Sequence, residues 1–232
     1  MKTIAIIAAG GQGKRIEGVH PEGKLPKQFL MLKDRPILAH TVNKFEQCEL
    51  IDEIILAVPE DYLEYCSQKV VDKYGFKKVR KVISGGKERQ DSVYSGLKAC
   101  PNNTSVVVIH DGVRPLISPD KICQSIKMCK EKKAVVLAVP VKETVKRVEH
   151  GNIITTLDRD KIWLTQTPQT FEYKLILDAY EKAKKDNFIG TDDSALVERL
   201  GHEVAILEGD YKNIKITTID DLQVAEKLLE VG

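Results

Sequence analysis

Glycines and basic residues are concentrated near the start of the chain, directly after a short apolar run. Three glycines lie between residues 10 and 13, and the cations Arg15 and Lys27 follow them. Glycines let backbone N–H groups approach a bound phosphate closely, while guanidinium and ammonium groups neutralise its charge. This combination indicates a site for a polyphosphate such as a nucleoside triphosphate.

The stretch departs from two familiar phosphate-binding motifs. A dinucleotide fingerprint, G-x-G-x-x-G, counted from Gly11 places Ile16 where a third glycine must let the helix pack on the strand. A P-loop, G-x-x-x-x-G-K-[ST], counted from Gly18 ends on Leu25, which has no hydroxyl group for Mg²⁺. We therefore interpret residues 17–25 as a flap between the two cations, able to close over phosphates.

Short apolar runs alternate with helical patterns along most of the chain. The runs predicted to be strands are Ile4–Ala8, Ile54–Val58, Val79–Ile83, Val106–Ile109 and Val135–Val139. Ser118-Pro119 predicts the start of a helix to about residue 132, and Thr218 with Asp221 predicts a last helix to residue 231. The alternation predicts an α/β fold with a mostly parallel sheet and helices on both faces.

One region interrupts this alternation. Thr144–Val148 and Ile153–Leu157 are short extended runs joined by Glu149–Asn152, which predicts a β-hairpin. An isolated two-stranded hairpin is marginally stable in water. The hairpin must therefore fold on its own domain or reach a second subunit, and composition leaves both alternatives open.

The bulk composition narrows the classes of function. A chain of 232 residues can form one large α/β domain, and we expect a single domain over 1–232. The 36 Lys and Arg against 34 Asp and Glu give a formal charge of +2, which argues against a protein that coats nucleic acid or anionic membrane. The five cysteines form no metal-binding spacing, and no apolar run reaches the ~18 residues of a membrane span. We expect a soluble cytoplasmic protein with reduced thiols and no nucleic-acid or membrane partner.

Several motifs carry a resemblance to known enzymes. Ala9–Arg15 followed by Pro26-Lys27 resembles the sugar-phosphate nucleotidyltransferases, whose first strand leads into A-G-G-x-G-x-R and then P-K. Further matches follow in order over essentially the whole chain: Gly85–Val93, His110–Pro115, Pro140–Thr144, Leu157–Arg159, Gln166–Gln169, Thr191–Asp193 and Asn213–Thr217. Together they are similar to the 2-C-methyl-D-erythritol 4-phosphate cytidylyltransferases of the non-mevalonate isoprenoid pathway. The resemblance implies a Rossmann-like nucleotidyltransferase fold and attack of a sugar-phosphate oxygen on the α-phosphorus of CTP, with release of pyrophosphate.

The resemblance also implies roles for the matched residues. Arg15, Lys27 and Lys215 would be catalytic, since they match the family's cations on the triphosphate. The nucleotide-binding residues would be Ala9, Gly10, Gly11, Gly13, Gly86, Ser92 and Asp111. Displacement at phosphorus needs positioning and charge neutralisation more than a protein nucleophile, which fits a chain that has no Ser/His/Asp or Cys/His constellation.

A metal ion and the acceptor complete the implied site. Asp111 matches the carboxylate that the family uses near Mg²⁺ and the substrate, so Mg²⁺ is the expected cofactor. Arg159, Thr167 and Thr191 match positions that hold methylerythritol phosphate, and Arg114 either pairs with Asp111 or helps to hold this substrate. In the family the hairpin arm around residues 141–160 crosses to a partner, so a homodimer with exchanged arms is expected.

Two nearby residues have less certain roles, and two others depart from the family pattern. Arg89 either holds its loop through a salt bridge or touches a ligand, and His110 is expected to pack or hydrogen-bond in the core rather than to transfer protons. Gly112-Val113 replaces the Ala-Ala that is usual in the family.

The alternative functions come from three classes. Ribitol-5-phosphate cytidylyltransferases share the fold and several motifs, but G-G-x-x-R-x-D-S, Leu-Asp-Arg and Thr-Asp-Asp favour methylerythritol phosphate. A nicotinamide-dependent oxidoreductase is disfavoured by Ile16. A non-catalytic sugar-nucleotide sensor is disfavoured because Arg15, Lys27, Asp111 and Lys215 are present together.

Overall fold

Strands and helices alternate along the chain in a computed structural model that describes residues 2–11, 18–20 and 23–230. Over these residues the strands are β1 (Lys2–Ala8), β2 (Gly18–His20), β3 (Gly23–Leu25), β4 (Met31–Leu32), β5 (Arg35–Pro36), β6 (Glu53–Val58), β7 (Val79–Ser84), β8 (Thr104–Asp111), β9 (Ala134–Pro140), β10 (Lys146–Glu149), β11 (Asn152–Thr156), β12 (Trp163–Glu172) and β13 (Ala205–Glu208). The α-helices are α1 (Ile37–Glu46), α2 (Leu63–Cys66), α3 (Arg89–Ala99), α4 (Pro119–Lys132), α5 (Tyr173–Lys185), α6 (Asp193–Arg199) and α7 (Ile219–Glu230). None of the described helices has the length and apolarity needed to cross a membrane.

A seven-stranded sheet forms the centre, in the order β13-β9-β12-β8-β1-β6-β7. Neighbouring strands are parallel except at β12, which is antiparallel to both β8 and β9. The five predicted strands are confirmed, each longer by at most two residues at an end. They were visible in the sequence because strands covered on both faces are apolar almost throughout.

Helices cover both faces of the sheet, as predicted. Alternate side chains of β1 point to opposite faces, so Ala5 and Ile7 pack in one core with residues of α1 and α4. Ile4 and Ile6 pack in a second core with residues of α3, α5 and α6. Each strand end is thereby held between two packed layers.

Both predicted helix starts are confirmed by their capping bonds. The Ser118 hydroxyl accepts from the Lys121 N–H at 3.2 Å, and Pro119 is the first helical residue of α4. Thr218 and Asp221 exchange bonds at the start of α7, with each side chain accepting from the other's backbone N–H at 2.8 and 3.2 Å. Residue 231, the predicted end of this helix, lies outside the described residues.

The central strand β12 was not predicted, because its segment Gln166–Thr170 reads as a polar run interrupted by proline. The Thr167-Pro168 peptide is cis, and the register with β9 shifts between Thr165 and Gln169. Its polar side chains are nevertheless buried. They find hydrogen-bond partners on distant segments, which no local pattern reveals.

The predicted hairpin is confirmed as β10 and β11. The strands pair antiparallel around His150 and Gly151, whose φ angles of 50° and 80° suit a tight hairpin turn. Every residue of both strands is exposed. The described part of this chain therefore covers neither face of the hairpin.

The segment interpreted as a flap contains a second, smaller hairpin, in which β2 pairs antiparallel with β3. Residues 12–17 and 21–22 lie outside the described residues. Closure over phosphates stays a prediction.

Candidate active site

A cavity of about 110 Å³ lies where β1 and β8 end. Ligands of open α/β sheets bind at the carboxyl ends of the strands, so this position is the expected one. The lining residues are Ala8, Ala9, Gly11, Lys27, Gln28, Arg89, Asp111, Val113 and Lys215. The fold thus brings together five residues that the sequence predicted for the site, from four separate segments of the chain.

A larger cavity, of about 330 Å³, is walled by Tyr94, Tyr180 and Phe188. Lys184 is the one cation among the lining residues in the described part of the chain. Phosphate chemistry needs concentrated positive charge. The smaller cavity is therefore the candidate active site.

Gln28 fastens the Lys27 segment to the glycine loop. Lys27 and Gln28 lie in a short 3₁₀ turn, Lys27–Phe29, and the Gln28 side chain is buried. Its Nε2 donates to the carbonyl oxygens of Ala9 at 2.6 Å and Gly11 at 3.3 Å. Sequence reasoning assigned no role to Gln28, although its place directly after Lys27 in a P-K-Q motif was a usable signal.

The glycine loop after β1 lies against a second loop, which leads into α3. The Ser92 hydroxyl accepts from the Gly86 N–H at 3.1 Å and donates to the carbonyl of Glu88 at 3.2 Å. A Cβ on Gly10 would lie 2.6 Å from the Ser92 Oγ, so a larger residue would force the loops apart. Three of the predicted nucleotide-binding residues, Gly10, Gly86 and Ser92, are therefore neighbours.

Asp111, at the end of β8, is surrounded by three cations. Its Oδ1 accepts from the Arg89 Nε at 2.7 Å, and its Oδ2 lies 2.9 Å from the Lys215 Nζ and 3.5 Å from the Arg114 Nε. Burial raises the pKa of Asp111, but the charges of Arg89, Lys215 and Arg114 outweigh it and hold that pKa well below its ordinary value. The carboxylate is therefore ionised at any physiological pH.

Arg89 makes salt bridges on two sides, which agrees with the first of the two roles expected for it. Its Nη1 and Nη2 donate to the two carboxylate oxygens of Asp193 at 2.9 and 2.8 Å. The hydroxyl of Tyr180 donates to the same carboxylate. Asp193 is completely buried, so this second carboxylate belongs to the wall behind the cavity.

His110 lies in the core, as expected. Its Nε2 is 3.1 Å from the carbonyl of Arg114, which can only accept, so Nε2 carries the proton. Its Nδ1 then accepts from the Thr167 hydroxyl at 3.0 Å, and that hydroxyl oxygen accepts the N–H of Asp111 at 3.1 Å. Complete burial lowers the pKa of His110 to about 3, so the ring is neutral. Thr167, which the resemblance assigned to the acceptor, is thus buried next to Asp111 with its hydroxyl engaged by both neighbours.

The segment that carries Lys215 is anchored beside β8. Arg114 Nη1 donates to the carbonyl of Asn213 at 2.7 Å, and the Asn213 side chain donates to the carbonyl of Thr167 at 2.8 Å. The N–H of Ile216 donates to the carbonyl of Val113 at 2.9 Å. Arg114 thus pairs with Asp111, one of its two expected roles, and helps to place Lys215.

Gly112 explains one departure from the family pattern. A Cβ at this position would lie 2.8 Å from the Cβ of Ala9 and 3.2 Å from a methyl group of Leu38. The glycine therefore lets β8 approach the first loop closely, where an alanine would require a shift.

Some predicted site residues lie elsewhere. Arg159 is exposed in the turn Arg159–Lys161 beside the hairpin, where its Nη1 donates to the carbonyl of Lys142 at 3.0 Å. Thr191 is exposed just before α6. Gly13 and Arg15 lie outside the described residues.

The site offers one carboxylate that could bind a metal ion together with the phosphates of a substrate. Within the described chain no three His, Cys, Asp or Glu side chains converge on a metal position, and Asp111 is the one carboxylate that lines the cavity. Mg²⁺ often binds through one carboxylate together with waters and substrate phosphates. Asp111 Oδ1 accepts only from Arg89 among the bonds described, which leaves it a lone pair for such an ion.

The chain is similar to proteins of known family over nearly its full length. Residues 3–231 match the family model described as IspD: 2-C-methyl-D-erythritol 4-phosphate cytidylyltransferase. A relative of that description from Clostridioides difficile (strain 630) is 46% identical over 97% of this chain and 93% of its own. Another, from Alkaliphilus oremlandii (strain OhILAs), is 47% identical over 99% of this chain and 95% of its own.

Solved structures agree with these matches. The crystal structure of 4-diphosphocytidyl-2C-methyl-D-erythritol synthase from Anaerococcus prevotii DSM 20548 superposes with a TM-score of 0.86. It is 33% identical in sequence and covers 99% of this chain and 98% of its own. The predicted Rossmann-like nucleotidyltransferase fold is confirmed by this similarity.

Proposed function

The chain belongs to the 2-C-methyl-D-erythritol 4-phosphate cytidylyltransferase family, and we propose that its reaction takes place in the cavity around Asp111. The protein is a nucleotidyltransferase of the non-mevalonate isoprenoid pathway. It transfers the cytidylyl group of CTP to 2-C-methyl-D-erythritol 4-phosphate and gives 4-diphosphocytidyl-2-C-methyl-D-erythritol and pyrophosphate. The ribitol-5-phosphate alternative is not favoured, since the relatives and the family model all carry the methylerythritol description.

The observation that supports this placement is the convergence of charge on one small cavity. Three cations, Lys27, Arg89 and Lys215, line the cavity with a single carboxylate, Asp111. Arg114 contacts the same carboxylate, and Asp193 pairs with Arg89. The described lining is therefore richer in cationic than in anionic side chains. A triphosphate supplies the complementary negative charge.

The reaction forms one bond and breaks another at the α-phosphorus of CTP. A phosphate oxygen of methylerythritol phosphate attacks this phosphorus, and the bond to the oxygen that bridges to the β-phosphorus breaks, so that pyrophosphate leaves. We assign Lys215 to the charge on the α-phosphate, and Lys27 and Arg15 to the charge on the leaving group. Asp111 and the triphosphate oxygens would together hold Mg²⁺, which would neutralise further phosphate charge.

The two glycine loops would hold the nucleotide. Backbone N–H groups of Gly10–Gly13 would face the triphosphate, with Ala9 lining the site beside them, and Gly86 with Ser92 would read the cytosine edge. This assignment is supported by the direct contact of the two loops at Gly10 and Ser92. The acceptor would lie beside Asp111, held by Arg114, Thr167 and Thr191.

A homodimer with exchanged arms would complete the site with Arg159 from the other subunit. The support is the uncovered hairpin within the arm at 141–160, where Val148, Ile153 and Ile154 are 54%, 64% and 50% exposed. A two-stranded hairpin with apolar side chains in water on both faces needs a partner surface. Ile153→Asp should produce monomers by light scattering, while Asn152→Asp, with the same added charge at the turn, should stay dimeric.

The cytoplasm is the proposed compartment, and one catalytic domain over 1–232 the proposed organisation. All five cysteines are free thiols. Free thiols persist in reducing compartments. Burial raises the pKa of Cys66 and Cys100 to about 12, which further limits their oxidation.

Pyrophosphate release from CTP tests the proposed function. The purified chain should release pyrophosphate with 2-C-methyl-D-erythritol 4-phosphate, and much more slowly with ribitol 5-phosphate offered separately. Faster release with ribitol 5-phosphate would contradict the substrate. Release that is unchanged when both pocket lysines are replaced by alanine would contradict the placement.

A further inference from the structure

We propose that Arg89 is a positioning residue of this reaction, which sets the orientation of the Asp111 carboxylate and is itself held by Asp193 and Tyr180. The proposal rests on the placement of the reaction at Asp111. It adds Arg89, which lines the cavity, and Asp193 and Tyr180, which lie behind it, to the residues on which turnover depends. Its basis is the geometry of two salt bridges that share one guanidinium group.

The guanidinium group of Arg89 has no freedom to rotate. Its Nη1 and Nη2 bind both oxygens of Asp193, and its Nε binds Asp111 Oδ1 at 2.7 Å. A guanidinium is planar, and a two-point contact with a carboxylate fixes its plane. The direction of the Nε–H towards Asp111 is therefore determined by where Asp193 lies.

Asp193 is itself fixed by its position at the start of α6 and by a hydrogen bond from Tyr180. It is the first residue of α6, its side chain is completely buried, and the buried Tyr180 donates its hydroxyl to it. The preceding residue, Asp192, caps α6 by accepting from the N–H of Ala195 at 2.9 Å, which fixes the backbone at this point. The chain of contacts runs from α5 through α6 and α3 to the end of β8.

The other partners of Asp111 are less suited to this task. Lys215 is 38% exposed at its side chain and would also bind the α-phosphate, and the Arg114 contact is longer, at 3.5 Å. Arg89 makes the shortest contact with Asp111, and its Nη1 and Nη2 are engaged by Asp193. Buried ion pairs contribute little net stability because of their desolvation cost, so orientation is the property that this pair supplies.

A charge-balanced double variant distinguishes a loss of turnover caused by misplaced Asp111 from one caused by an unstable fold. Arg89→Met alone would leave Asp193 buried without a counter-charge and would destabilise the fold. Arg89→Met with Asp193→Asn removes one positive and one negative charge, so the net charge around the cavity and the Tyr180 hydrogen bond to residue 193 are kept. We expect the melting temperature to recover relative to Arg89→Met, CTP affinity by calorimetry to stay near wild type, and kcat to remain at least ~10-fold low.

Two further variants probe the chain of contacts. Tyr180→Phe removes only the hydroxyl that holds Asp193 and should lower kcat with little change in KM for CTP. Tyr94→Phe is its matched control, because Tyr94 stacks on Tyr180 at 6.2 Å and is outside the salt-bridge chain. Arg89→Lys keeps the charge but lacks the planar guanidinium group that binds both oxygens of Asp193, so it should also lower kcat.

Recovery of kcat together with stability in the double variant would overturn the proposal, and so would wild-type turnover in Arg89→Lys. If the double variant does not fold, Arg89→Lys and Tyr180→Phe decide the question. These outcomes are distinguishable from a failure of the proposed function, because in that case the wild-type chain itself would release no pyrophosphate.

Discussion

The side-chain amide of Gln28 donates to the carbonyl oxygen of Ala9 at 2.6 Å and reaches that of Gly11 at 3.3 Å. Ala9 and Gly11 belong to the loop after β1, whereas Gln28 directly follows Lys27 in a separate turn. One buried amide therefore ties the glycines to the catalytic cation predicted beside them. The contact joins residues on either side of the flap in the sequence.

Replacing this amide by a carboxylate should separate the two segments. Gln28→Glu would place negative oxygen against two carbonyl oxygens in a buried position, where a lost hydrogen bond leaves acceptors unsatisfied. We expect a fall in kcat/KM of ~10–100-fold, as for a displaced charge-stabilising group, and a lower melting temperature. Gln124→Glu, on the exposed side of α4, is the control and should change neither. Wild-type kinetics in Gln28→Glu would show that the amide contact is dispensable.

The pocket lysines should be required for turnover but not for folding. Lys27→Ala and Lys215→Ala should each lower kcat/KM by ~10²–10³-fold, since each removes a cation from the transition state. Arg15→Ala should behave in the same way. Circular dichroism should show intact folds, because Asp111 keeps its contacts with Arg89 and Arg114 when Lys215 is replaced. Lys130→Ala on the surface of α4 is the control and should keep the wild-type rate. A pocket variant that is as active as this control would show that the replaced residue is not catalytic.

Shared active sites should allow complementation between inactive subunits. In a homodimer with exchanged arms, each site combines Lys27 of one subunit with Arg159 of the other. A dimer of one Lys27→Ala chain and one Arg159→Ala chain therefore carries both substitutions in one site and keeps the other site intact. Mixed dimers purified through two affinity tags should therefore regain up to about half of the wild-type rate per site. Verified heterodimers with no activity above either parent would exclude a site built from two subunits.

The buried His110 should make the fold sensitive to acid. Its pKa is lowered to about 3 by burial, while in the unfolded chain it is near 6.5. The unfolded state therefore binds more protons between these values, so His110 contributes stability that is complete above pH 6.5 and is lost as the pH falls towards 3. Its contribution falls by at most ~1.4 kcal/mol per pH unit. Asp111, whose folded pKa is also lowered, adds to this loss only below about pH 4.

Urea unfolding at several values between pH 4.5 and 7 measures this effect. His110→Gln keeps a donor for the carbonyl of Arg114 and an acceptor for Thr167, but it does not titrate. The variant should be less stable at pH 7 and should show a flatter dependence on pH. Equal slopes for the two proteins would show that His110 is not the group responsible.

Much of the fold and several site residues followed from local sequence. The five predicted strands are almost entirely apolar, the starts of α4 and α7 carry their own caps, and the hairpin carries its own turn. The residues Ala9, Gly11, Lys27, Asp111 and Lys215 were predicted for one site by the resemblance, and the structure brings them to one cavity. A pattern within a few residues was sufficient in each case.

Other features depended on contacts between distant segments. Strand β12 is polar in sequence, and its buried side chains are satisfied by partners such as Asp210 and Asp192, 44 and 23 residues away. Arg89 could not be assigned from sequence, because its partners Asp111 and Asp193 lie 22 and 104 residues from it.

The sequence by itself therefore determined the five apolar strands, the hairpin and the capped starts of α4 and α7, and it indicated the charged groups that we propose for the chemistry. Periodicity and capping are local properties, and the motif residues are recognisable by type and spacing. Only the tertiary structure decided how these groups are held: Asp111 by Arg89, Arg89 by Asp193, and Lys27 by way of Gln28 and Ala9. Hydrogen bonds and ion pairs of this kind depend on distance and direction in space, which the order of residues along the chain does not specify.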